Sequence, residues 1–305
     1  MITPNHIQIE VVKGLCSVNC IMCPINNWDL EPMIMGFDDY SKIMDKVSVH
    51  RDAIRFLTLH GRGEPLLDSG LCDKIRLSRM VLQEDTSIGF ASNCTELEPE
   101  LSRKLIDSGL DLIICSVDGT DAETHESIRV GTNYEQVINS IKSFISIRNE
   151  IDAKTRVMLR FIRQEKNFTQ WESFQNYWAD FIDETKKDSI VKFDVHNWGK
   201  QSENFTLGGC NLTIDKPLIC SDLYERFIIQ CDGSIGFCCA LEDDYHDLSL
   251  GNIYENSLVQ IYNGKMFCHY RQEMEAGRIF DLELCKNCTI PLSRYKERGS
   301  YKVES

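Results

Sequence analysis

The first 200 residues alternate between short apolar runs and longer amphipathic runs, and this alternation constrains the fold more than any other feature. The apolar runs are rich in Ile, Val, Leu and Phe and predict strands at 6–12, 54–60, 86–92, 112–117, 155–162 and 190–196. The amphipathic runs predict helices at 38–49, 69–82, 98–108, 134–148 and 169–185. Such βα repeats predict an α/β fold, with a parallel sheet and right-handed crossovers.

Short polar or cysteine-rich motifs follow the first four predicted strands. "GLCSVNCIMCPI" follows the first strand, and motifs at 61–65 (GRGEP), 92–94 (SNC) and 116–119 (SVDG) follow the next three. In barrels of βα repeats the loops after the carboxyl ends of the strands lie at one edge and carry the functional residues. The sequence therefore predicts an active site at that edge.

Three of the fourteen cysteines, Cys16, Cys20 and Cys23, lie within eight positions. The cysteine content is too low for a disulfide scaffold, and clustered thiols in a reducing compartment favour metal binding or catalysis. Two interpretations stay open at this point. A distant thiol completes a zinc site, or the fourth position is left open for chemistry, as when three thiolates hold three irons of a [4Fe–4S] cluster.

The spacing Cys-x3-Cys-x2-Cys after the first strand of a βα repeat resembles the radical S-adenosylmethionine superfamily, over roughly residues 6–200. The resemblance implies a partial (β/α)6 TIM barrel, expected at 1–205. It implies that Cys16, Cys20 and Cys23 bind a [4Fe–4S] cluster whose open iron chelates S-adenosylmethionine. In that family, electron transfer from the cluster releases a 5′-deoxyadenosyl radical, which abstracts a hydrogen atom from the substrate.

The GRGEP motif resembles the Gly-Gly-Glu-Pro stretch of the family. There the backbone and the glutamate meet the amino group of the methionine moiety. The resemblance carries this cofactor-binding role to Gly61, Gly63 and Glu64, and Arg62 is a local departure from the pattern.

Further positions match cofactor contacts of the family. Ser116 and Asp118 fall where it contacts the ribose and the methionine, and Arg129 matches an arginine that meets the carboxylate. Asn93 replaces part of a Thr-Asn-Gly-like turn. Met22 stands where an aromatic residue usually lies against adenine, and a thioether is able to make the same apolar contact.

A second module is expected at 206–305, after a polar linker at 201–209. It contains a predicted hairpin with Asp232-Gly233 at the turn and one predicted helix at 257–276. Its cysteine spacing resembles the twitch domain, a shortened SPASM domain, and a small α+β domain is implied. The resemblance implies one auxiliary [4Fe–4S] cluster, with a zinc ribbon as the alternative, on four ligands: Cys220, Cys238, Cys285 and Cys288.

The other seven cysteines divide into two groups, and the second comprises Cys210, Cys231, Cys239 and Cys268. Cys72, Cys94 and Cys115 lie in or beside regular elements and are predicted to be small core residues. Cys239 adjoins Cys238, and side chains of neighbouring strand residues point to opposite faces. Cys239 is therefore a candidate hydrogen-atom donor to a substrate radical, although the same geometry suits a buried, inert thiol.

Charge and composition limit the kinds of partner that the chain is expected to bind. With 33 basic and 47 acidic residues the net charge is −14, which argues against nucleic acid and is compatible with a polar, possibly cationic small molecule. No run of about 18 apolar residues appears, so no membrane span is expected. The first residues lack the features of a signal peptide, which predicts a cytoplasmic protein. The resemblance also implies an external electron donor such as flavodoxin or ferredoxin.

Twitch-bearing members of the family include an aminocyclitol dehydrogenase and an aminoglycoside epimerase of antibiotic biosynthesis. We therefore expect hydrogen abstraction from a carbinol carbon of an aminocyclitol, amino sugar or aminoglycoside, giving epimerisation or dehydrogenation. Arg160, Arg163 and His196 are candidates to bind hydroxyls or to take a proton.

Two other classes stay open. One is radical modification, by epimerisation or cross-linking, of a ribosomally made peptide. It is weakened because the first strand starts about ten residues before Cys16, where no peptide-recognition domain is expected to fit. The other is a non-enzymatic iron–sulfur or zinc protein, for which the motifs at the strand ends would have no purpose.

Overall fold

The computed structural model describes residues 1–198, 218–239, 250–286 and 288–291. In chain order, the strands of these residues are β1 His6–Ile9, β2 Val12–Lys13, β3 Asn19–Cys20, β4 Met33–Ile34, β5 Phe56–Thr58, β6 Ser87–Ser92, β7 Leu112–Ser116, β8 Arg129–Val130, β9 Arg156–Arg163, β10 Ser189–Asp194, β11 Arg226–Ile229 and β12 Ile235–Gly236.

The main sheet has eight strands in the order β10-β9-β7-β6-β5-β1-β11-β12. All neighbouring strands are parallel except β11 and β12. Each of the six strands predicted from the sequence contributes one strand to this open sheet. The predicted partial barrel is therefore confirmed.

Helices connect the strands. The α-helices of the described residues are α1 Phe37–Ser48, α2 Leu71–Val81, α3 Pro99–Asp107, α4 Ala122–Ile128, α5 Tyr134–Glu150, α6 Trp171–Ala179, α7 Asp222–Glu225, α8 Leu258–Tyr262 and α9 Lys265–Glu275. Helix α3 shows why they form here. It starts with Pro99, which suits the first helical turn, and buries Leu105 and Ile106 against the core. It ends before Gly109, whose φ of +91° stops the helix.

Alternate residues of the strands face opposite sides of the sheet. Leu159 and Phe161 of β9 are fully buried in the main hydrophobic core, together with apolar side chains of the helices. Arg160 between them points to the other face, where its Nη2 donates to Ser116 Oγ of β7 at 2.6 Å. We call this polar side the inner face of the sheet.

Some predicted helices have different bounds. The helix predicted at 169–185 ends as α6 at Ala179 and is followed by a short 3-10 helix, Glu184–Lys186. The helix predicted at 257–276 divides into α8 and α9, because the Asn263 side chain donates to Val259 O at 2.8 Å and Gly264 is the N-cap of α9. Helix α4 was not predicted, since its seven residues are too short for a clear apolar period.

The second cysteine-rich segment joins the barrel through its hairpin. Strands β11 and β12 pair antiparallel, as predicted, and Gly233 in the turn has a φ of +81°. Strand β11 also pairs with β1 in parallel, with Arg226 opposite His6. This pairing was not predicted, and it makes the hairpin a continuation of the main sheet.

The predicted linker at 201–209 and the predicted boundary between 205 and 206 lie outside the described residues. In the part of the chain that the structure describes, no helix has the length and apolar character needed to span a membrane.

A buried ion pair ties α5 to the loop before β10. Arg148 and Asp188 have fully buried side chains and form two hydrogen bonds of 2.8 Å, and Asp188 also accepts from Val157 N at 2.7 Å. Removing one partner leaves an uncompensated buried charge.

We therefore expect Arg148→Met to lower the free energy of unfolding by about 3–5 kcal/mol in denaturant titrations. The control is Arg103→Met, since Arg103 and Glu150 form an exposed pair at 3.8 Å. Loss of that pair is expected to cost about 0.5 kcal/mol or less. Equal effects of the two substitutions would contradict this account of the core.

Candidate cluster and cofactor site

Close backbone packing fixes the loop that carries the first three cysteines. Glu64 N donates to Leu15 O at 2.8 Å. A Cβ at Gly63 would lie 2.6 Å from Val12 O, so only glycine permits this approach. The packing holds Cys16, which follows Leu15, at the carboxyl edge of the sheet.

The departure of Arg62 from the family pattern has a structural reason. Its N, Nε and Nη2 each donate to the buried carboxylate of Glu10 at 2.8 Å. A Cβ at Gly61 would lie 2.7 Å from Glu10 Cγ, so the glycine leaves room for this side chain. Arg62 thus anchors the GRGEP turn to the segment between β1 and β2.

The three thiols differ in exposure and in their partners. Cys16 is exposed, and its Sγ accepts a hydrogen bond from Asn93 Nδ2 at 3.7 Å. Cys20 is buried, and its Sγ accepts one from Arg129 Nη1 at 3.5 Å. Pairing of β3 with β8 sets Cys20 opposite Arg129. Desolvation by surrounding protein atoms raises the pKa of all three thiols, including that of the exposed residue Cys16, and brings that of Cys23 to about 12. Metal binding here therefore displaces protons.

The Glu64 carboxylate lies beside Cys16 and is buried. It accepts hydrogen bonds from Ser92 Oγ at 2.8 Å, Asn93 N at 2.9 Å and Leu66 N at 3.1 Å. Burial raises the pKa of Glu64, and these hydrogen bonds oppose that shift. A buried, oriented carboxylate of this kind is suited to an ammonium group.

Asp118 is held at this edge through both its side chain and its backbone. It forms an ion pair with Arg129 at 2.7 Å and accepts from Ile162 N at 2.6 Å. Asp118 N donates to His125 Nδ1 at 3.3 Å, and Asn167 Nδ2 donates to Asp118 O at 3.0 Å. Burial lowers the pKa of His125 to about 3, so the ring is neutral and accepts this bond.

His125 and Asn167 were not singled out from the sequence. His125 precedes Arg129 by four positions, a spacing that lets two residues meet on one side of a helix, and this was the available signal. Nothing local to Asn167 connects it to Asp118, which lies 49 positions earlier.

Met22 packs into a small apolar cluster with Val18, Ile128 and Val195. Gln164 Nε2 approaches its sulfur at 3.9 Å. The thioether is buried next to the thiol loop, which fits the apolar contact expected of this position.

The two candidate arginines of β9 have different surroundings. Arg160 is directed to Ser116 on the inner face. Arg163 forms an ion pair with Asp194 of β10, with Nη2–Oδ1 at 2.6 Å. His196 lies just beyond β10, where its Nδ1 accepts from Trp198 N at 3.2 Å.

The second set of thiols surrounds one cavity. Its walls include apolar side chains, among them Leu223, Phe237, Met274 and Leu284. Burial raises the pKa of Cys285 to about 12. All four cysteines predicted as auxiliary ligands line the cavity: Cys220, Cys238, Cys285 and Cys288.

Cys239 is directed to a carboxylate near this cavity. Its Sγ donates to Asp222 Oδ2 at 2.9 Å, and Asp222 also lines the cavity. Asp222 Oδ1 lies 3.5 Å from Arg226 Nε, and Arg226 Nη1 donates to Gln8 Oε1 at 3.2 Å. Polar contacts thus connect the second set of thiols to the inner face.

The two sets of thiols lie at opposite edges of the sheet. Cys16 follows β1 and β2 at the carboxyl edge of β1. Cys220 precedes α7, which leads directly into β11, and Cys238 follows the antiparallel β12. Because β11 is parallel to β1, both of these cysteines are at the amino edge.

The thiols of the two sets suit iron–sulfur clusters, and the charged groups beside the first set suit a cofactor that carries an amino and a carboxylate group. In the described residues, no three His, Cys, Asp or Glu side chains surround a single metal-ion position. Thiolates are the ligands of iron–sulfur clusters, and the two sets supply three and four of them. Near Cys20, the buried Arg129 Nε has no hydrogen-bond partner among the described residues, which suits a carboxylate. Glu64 supplies the opposite charge for an ammonium group.

Two family models match the chain. The model of the radical SAM superfamily matches residues 11–159, and that of SPASM, an iron–sulfur cluster-binding domain, matches residues 220–289. A Pyrococcus furiosus relative, the tungsten-containing aldehyde ferredoxin oxidoreductase cofactor-modifying protein, is 22% identical over 304 residues. The match covers 88% of this chain and 83% of that protein.

Two solved structures have a similar fold. The complex of BtrN with AdoMet and 2-DOIA has a TM-score of 0.62 at 18% identity, covering 94% of both chains. Streptococcus suis SuiB bound to the precursor peptide SuiA has a TM-score of 0.64 at 15% identity, covering 95% of this chain and 71% of SuiB.

Membership of the family implies S-adenosylmethionine, a [4Fe–4S] cluster and auxiliary iron–sulfur ligation as cofactors. It also implies that a small-molecule or peptide substrate and a reductant are needed. The thiol loop, the motifs at the strand ends and the matches agree: the chain is an enzyme of the radical SAM superfamily with a C-terminal SPASM domain.

Proposed function

We propose that the enzyme abstracts a hydrogen atom from a carbinol carbon of a small, hydroxylated substrate bound on the inner face. The observation that carries this proposal is the position of the inner face between two sets of thiols at opposite edges of one sheet. One edge has the residues to generate a radical next to a bound substrate. The other has the residues for a metal group that exchanges electrons.

At the carboxyl edge, Cys16, Cys20 and Cys23 would hold the [4Fe–4S] cluster and leave one iron open. Bound S-adenosylmethionine supplies the hydrogen-abstracting radical. Asn93 and Arg129 donate to the thiol sulfurs, and such outer contacts orient ligands and tune a metal site.

Other residues of this edge would hold the cofactor's organic part. Glu64 and the backbone at Gly61 and Gly63 would bind the amino group, and Arg129 would bind the carboxylate through its Nε, which no described residue contacts by a hydrogen bond. Ser116 and Asp118 would contact the ribose and methionine, and Met22 the adenine. Their buried partners hold these side chains in place before the cofactor arrives.

At the amino edge, Cys220, Cys238, Cys285 and Cys288 would hold one auxiliary [4Fe–4S] cluster. All four line one cavity, whose other walls are largely apolar. Four protein ligands close the coordination, which suits electron transfer rather than substrate binding. An external one-electron donor, such as flavodoxin or ferredoxin, would reduce the enzyme.

The proposed substrate class is an aminocyclitol, an amino sugar or a related hydroxylated small molecule. The structural similarity to BtrN, which covers 94% of both chains, supports this class. The similarity to SuiB, which was solved with a bound peptide, covers only 71% of the SuiB chain. Modification of a ribosomally made peptide is the second candidate, favoured by that neighbour's bound precursor peptide.

The fate of the substrate radical depends on Cys239, Arg160 and Arg163. Epimerisation needs a hydrogen-atom donor, and oxidation needs a base together with the auxiliary cluster. Transfer of the Cys239 hydrogen atom would break the S–H bond, form the substrate C–H bond and leave a thiyl radical. An electron from the external donor and a proton through Asp222, which accepts from Cys239 Sγ, would restore the thiol. Burial lowers the pKa of Arg160 to about 10, whereas Arg163 is held by Asp194. These contacts favour Cys239 as the donor and Arg160 as the residue that binds substrate.

The first test concerns the thiol loop. Anaerobically reconstituted, reduced protein is expected to convert S-adenosylmethionine to 5′-deoxyadenosine, and replacement of Cys16, Cys20 and Cys23 by Ala is expected to abolish this. The control is Cys72→Ala, a half-buried cysteine of α2 outside both sets, which should retain activity within about twofold. If the triple variant still makes 5′-deoxyadenosine, these thiols are not the ligands of the catalytic cluster.

The second test separates epimerisation from oxidation. With the enzyme's substrate in deuterated water, wild-type protein is expected to place deuterium at the inverted carbon. Cys239→Ala is expected to form 5′-deoxyadenosine without epimer, because the donor is missing. Cys268→Ala is the control, since that thiol donates to Asn263 O within the C-terminal helices. Normal turnover of Cys239→Ala to a ketone would identify a dehydrogenase and exclude the donor role.

A further inference from the structure

Four carboxylates at the inner face and its two edges have a cationic partner within the protein, whereas Glu64, assigned above to the cofactor's amino group, is held by neutral donors. Those four form ion pairs at 2.6–3.5 Å: Glu10–Arg62, Asp118–Arg129, Asp194–Arg163 and Asp222–Arg226. These acids are therefore compensated by the protein itself and do not offer a free charge to a substrate.

Arg160 has no such compensation. Its Nη2 donates to a neutral hydroxyl, Ser116 Oγ, and its Nε is buried with no hydrogen-bond partner among the described residues. In the same part of the chain, no carboxylate oxygen lies within 4 Å of its guanidinium. Burial lowers its pKa to about 10 and the charge of Arg129 acts in the same direction, whereas the more distant Asp118 carboxylate opposes the shift in part. Burying an unpaired cation is costly, which favours a counter-charge supplied by a ligand.

His60 adds a second donor near the same charge. It follows β5, and its Nδ1 is buried without a hydrogen-bond partner in the described ranges. Burial lowers its pKa to about 3, and Arg226, Arg160 and His6 all act in the same direction. The charged groups that act on His60 are thus basic, although the chain as a whole is acidic.

We propose that the substrate carries an oxyanion, a carboxylate or a phosphate, that binds on the inner face to Arg160 Nε and His60 Nδ1. The proposal rests on the proposed function, since it concerns the substrate of that site. A guanidinium and an imidazole N–H are both donors, and charge-assisted hydrogen bonds to an oxyanion are among the strongest that a protein makes.

This inference changes the expected charge of the substrate. The net charge of −14 suggested a cationic molecule, but an ammonium group beside Arg160 and His60 would be repelled. An acid or phosphate ester of a hydroxylated molecule satisfies the inner face, and a bare polyamine sugar does not. The methionine carboxylate of the cofactor is assigned separately, to Arg129 beside Cys20.

The test uses the reconstituted protein with saturating S-adenosylmethionine and no reductant. Thermal unfolding midpoints are measured against sodium phosphate and sodium acetate, with sodium chloride at equal ionic strength as reference. A bound anion raises the midpoint by mass action. We expect phosphate or acetate to stabilise the wild type beyond chloride, and the more effective anion identifies the phosphate or the carboxylate.

Arg160→Gln is expected to weaken the binding of that anion by about 10- to 100-fold, the usual effect of losing a charged hydrogen bond. The matched control is Arg156→Gln, because Arg156 lies four residues earlier on β9 and donates to Ser87 Oγ at 2.6 Å. It should bind the anion as the wild type does. His60→Gln is a second variant, expected to weaken binding and usable if Arg160→Gln does not fold.

Three results would overturn the inference. In the first, neither anion stabilises the wild type beyond chloride. In the second, the folded Arg160→Gln and His60→Gln variants bind the anion as the wild type does. In the third, the anion effect is present without S-adenosylmethionine and is abolished by it, which would assign the site to the cofactor. Formation of 5′-deoxyadenosine is measured on the same preparations. Cleavage without anion binding contradicts only this inference, and anion binding without cleavage contradicts only the proposed function.

Discussion

The parallel pairing of β11 with β1 is the constraint on which the arrangement of the site depends. It sets Arg226 opposite His6 and brings the hairpin onto the edge of the barrel sheet. Since β12 runs back antiparallel, the cysteines on both sides of the hairpin meet at the amino edge. A slip of this pairing by one residue would turn Arg226, which links Asp222 to Gln8, to the opposite face of the sheet.

The charge available to ligands at the inner face depends on which carboxylates already form ion pairs within the protein. Glu64, deeply buried, is held by backbone and hydroxyl donors rather than by an arginine, so it keeps its capacity for an ammonium group. Asp118 and Arg129 neutralise each other, yet within the described ranges the Arg129 Nε near Cys20 has no hydrogen-bond partner. Among the same residues, Arg160 forms no ion pair with a carboxylate. The site thus offers a negative charge at Glu64 and positive charges at Arg129 and Arg160, in separate places. This separation would orient a zwitterionic cofactor and an anionic substrate differently.

The sequence predicts the barrel and the carboxyl edge because both depend on local patterns. Strand periodicity, the spacing of Cys16 from its neighbours and the motifs after the strands are all contained in short windows. The rest depends on contacts between distant positions. Arg62 is explained only by Glu10, 52 positions away, and Arg226 meets Gln8 across 218 positions. The role of His60 follows from charges that converge on it in space.

The central claim is that the two sets of thiols hold separate clusters and that only the first has an open iron. Iron analysis and electron paramagnetic resonance of the reduced protein, with and without S-adenosylmethionine, test it directly. The account predicts about eight irons per chain, with up to four cysteine ligands to each cluster. The cofactor should perturb one signal, and that signal should be missing from Cys20→Ala. About four irons with one zinc, or a perturbed signal that persists in Cys20→Ala, would contradict the account.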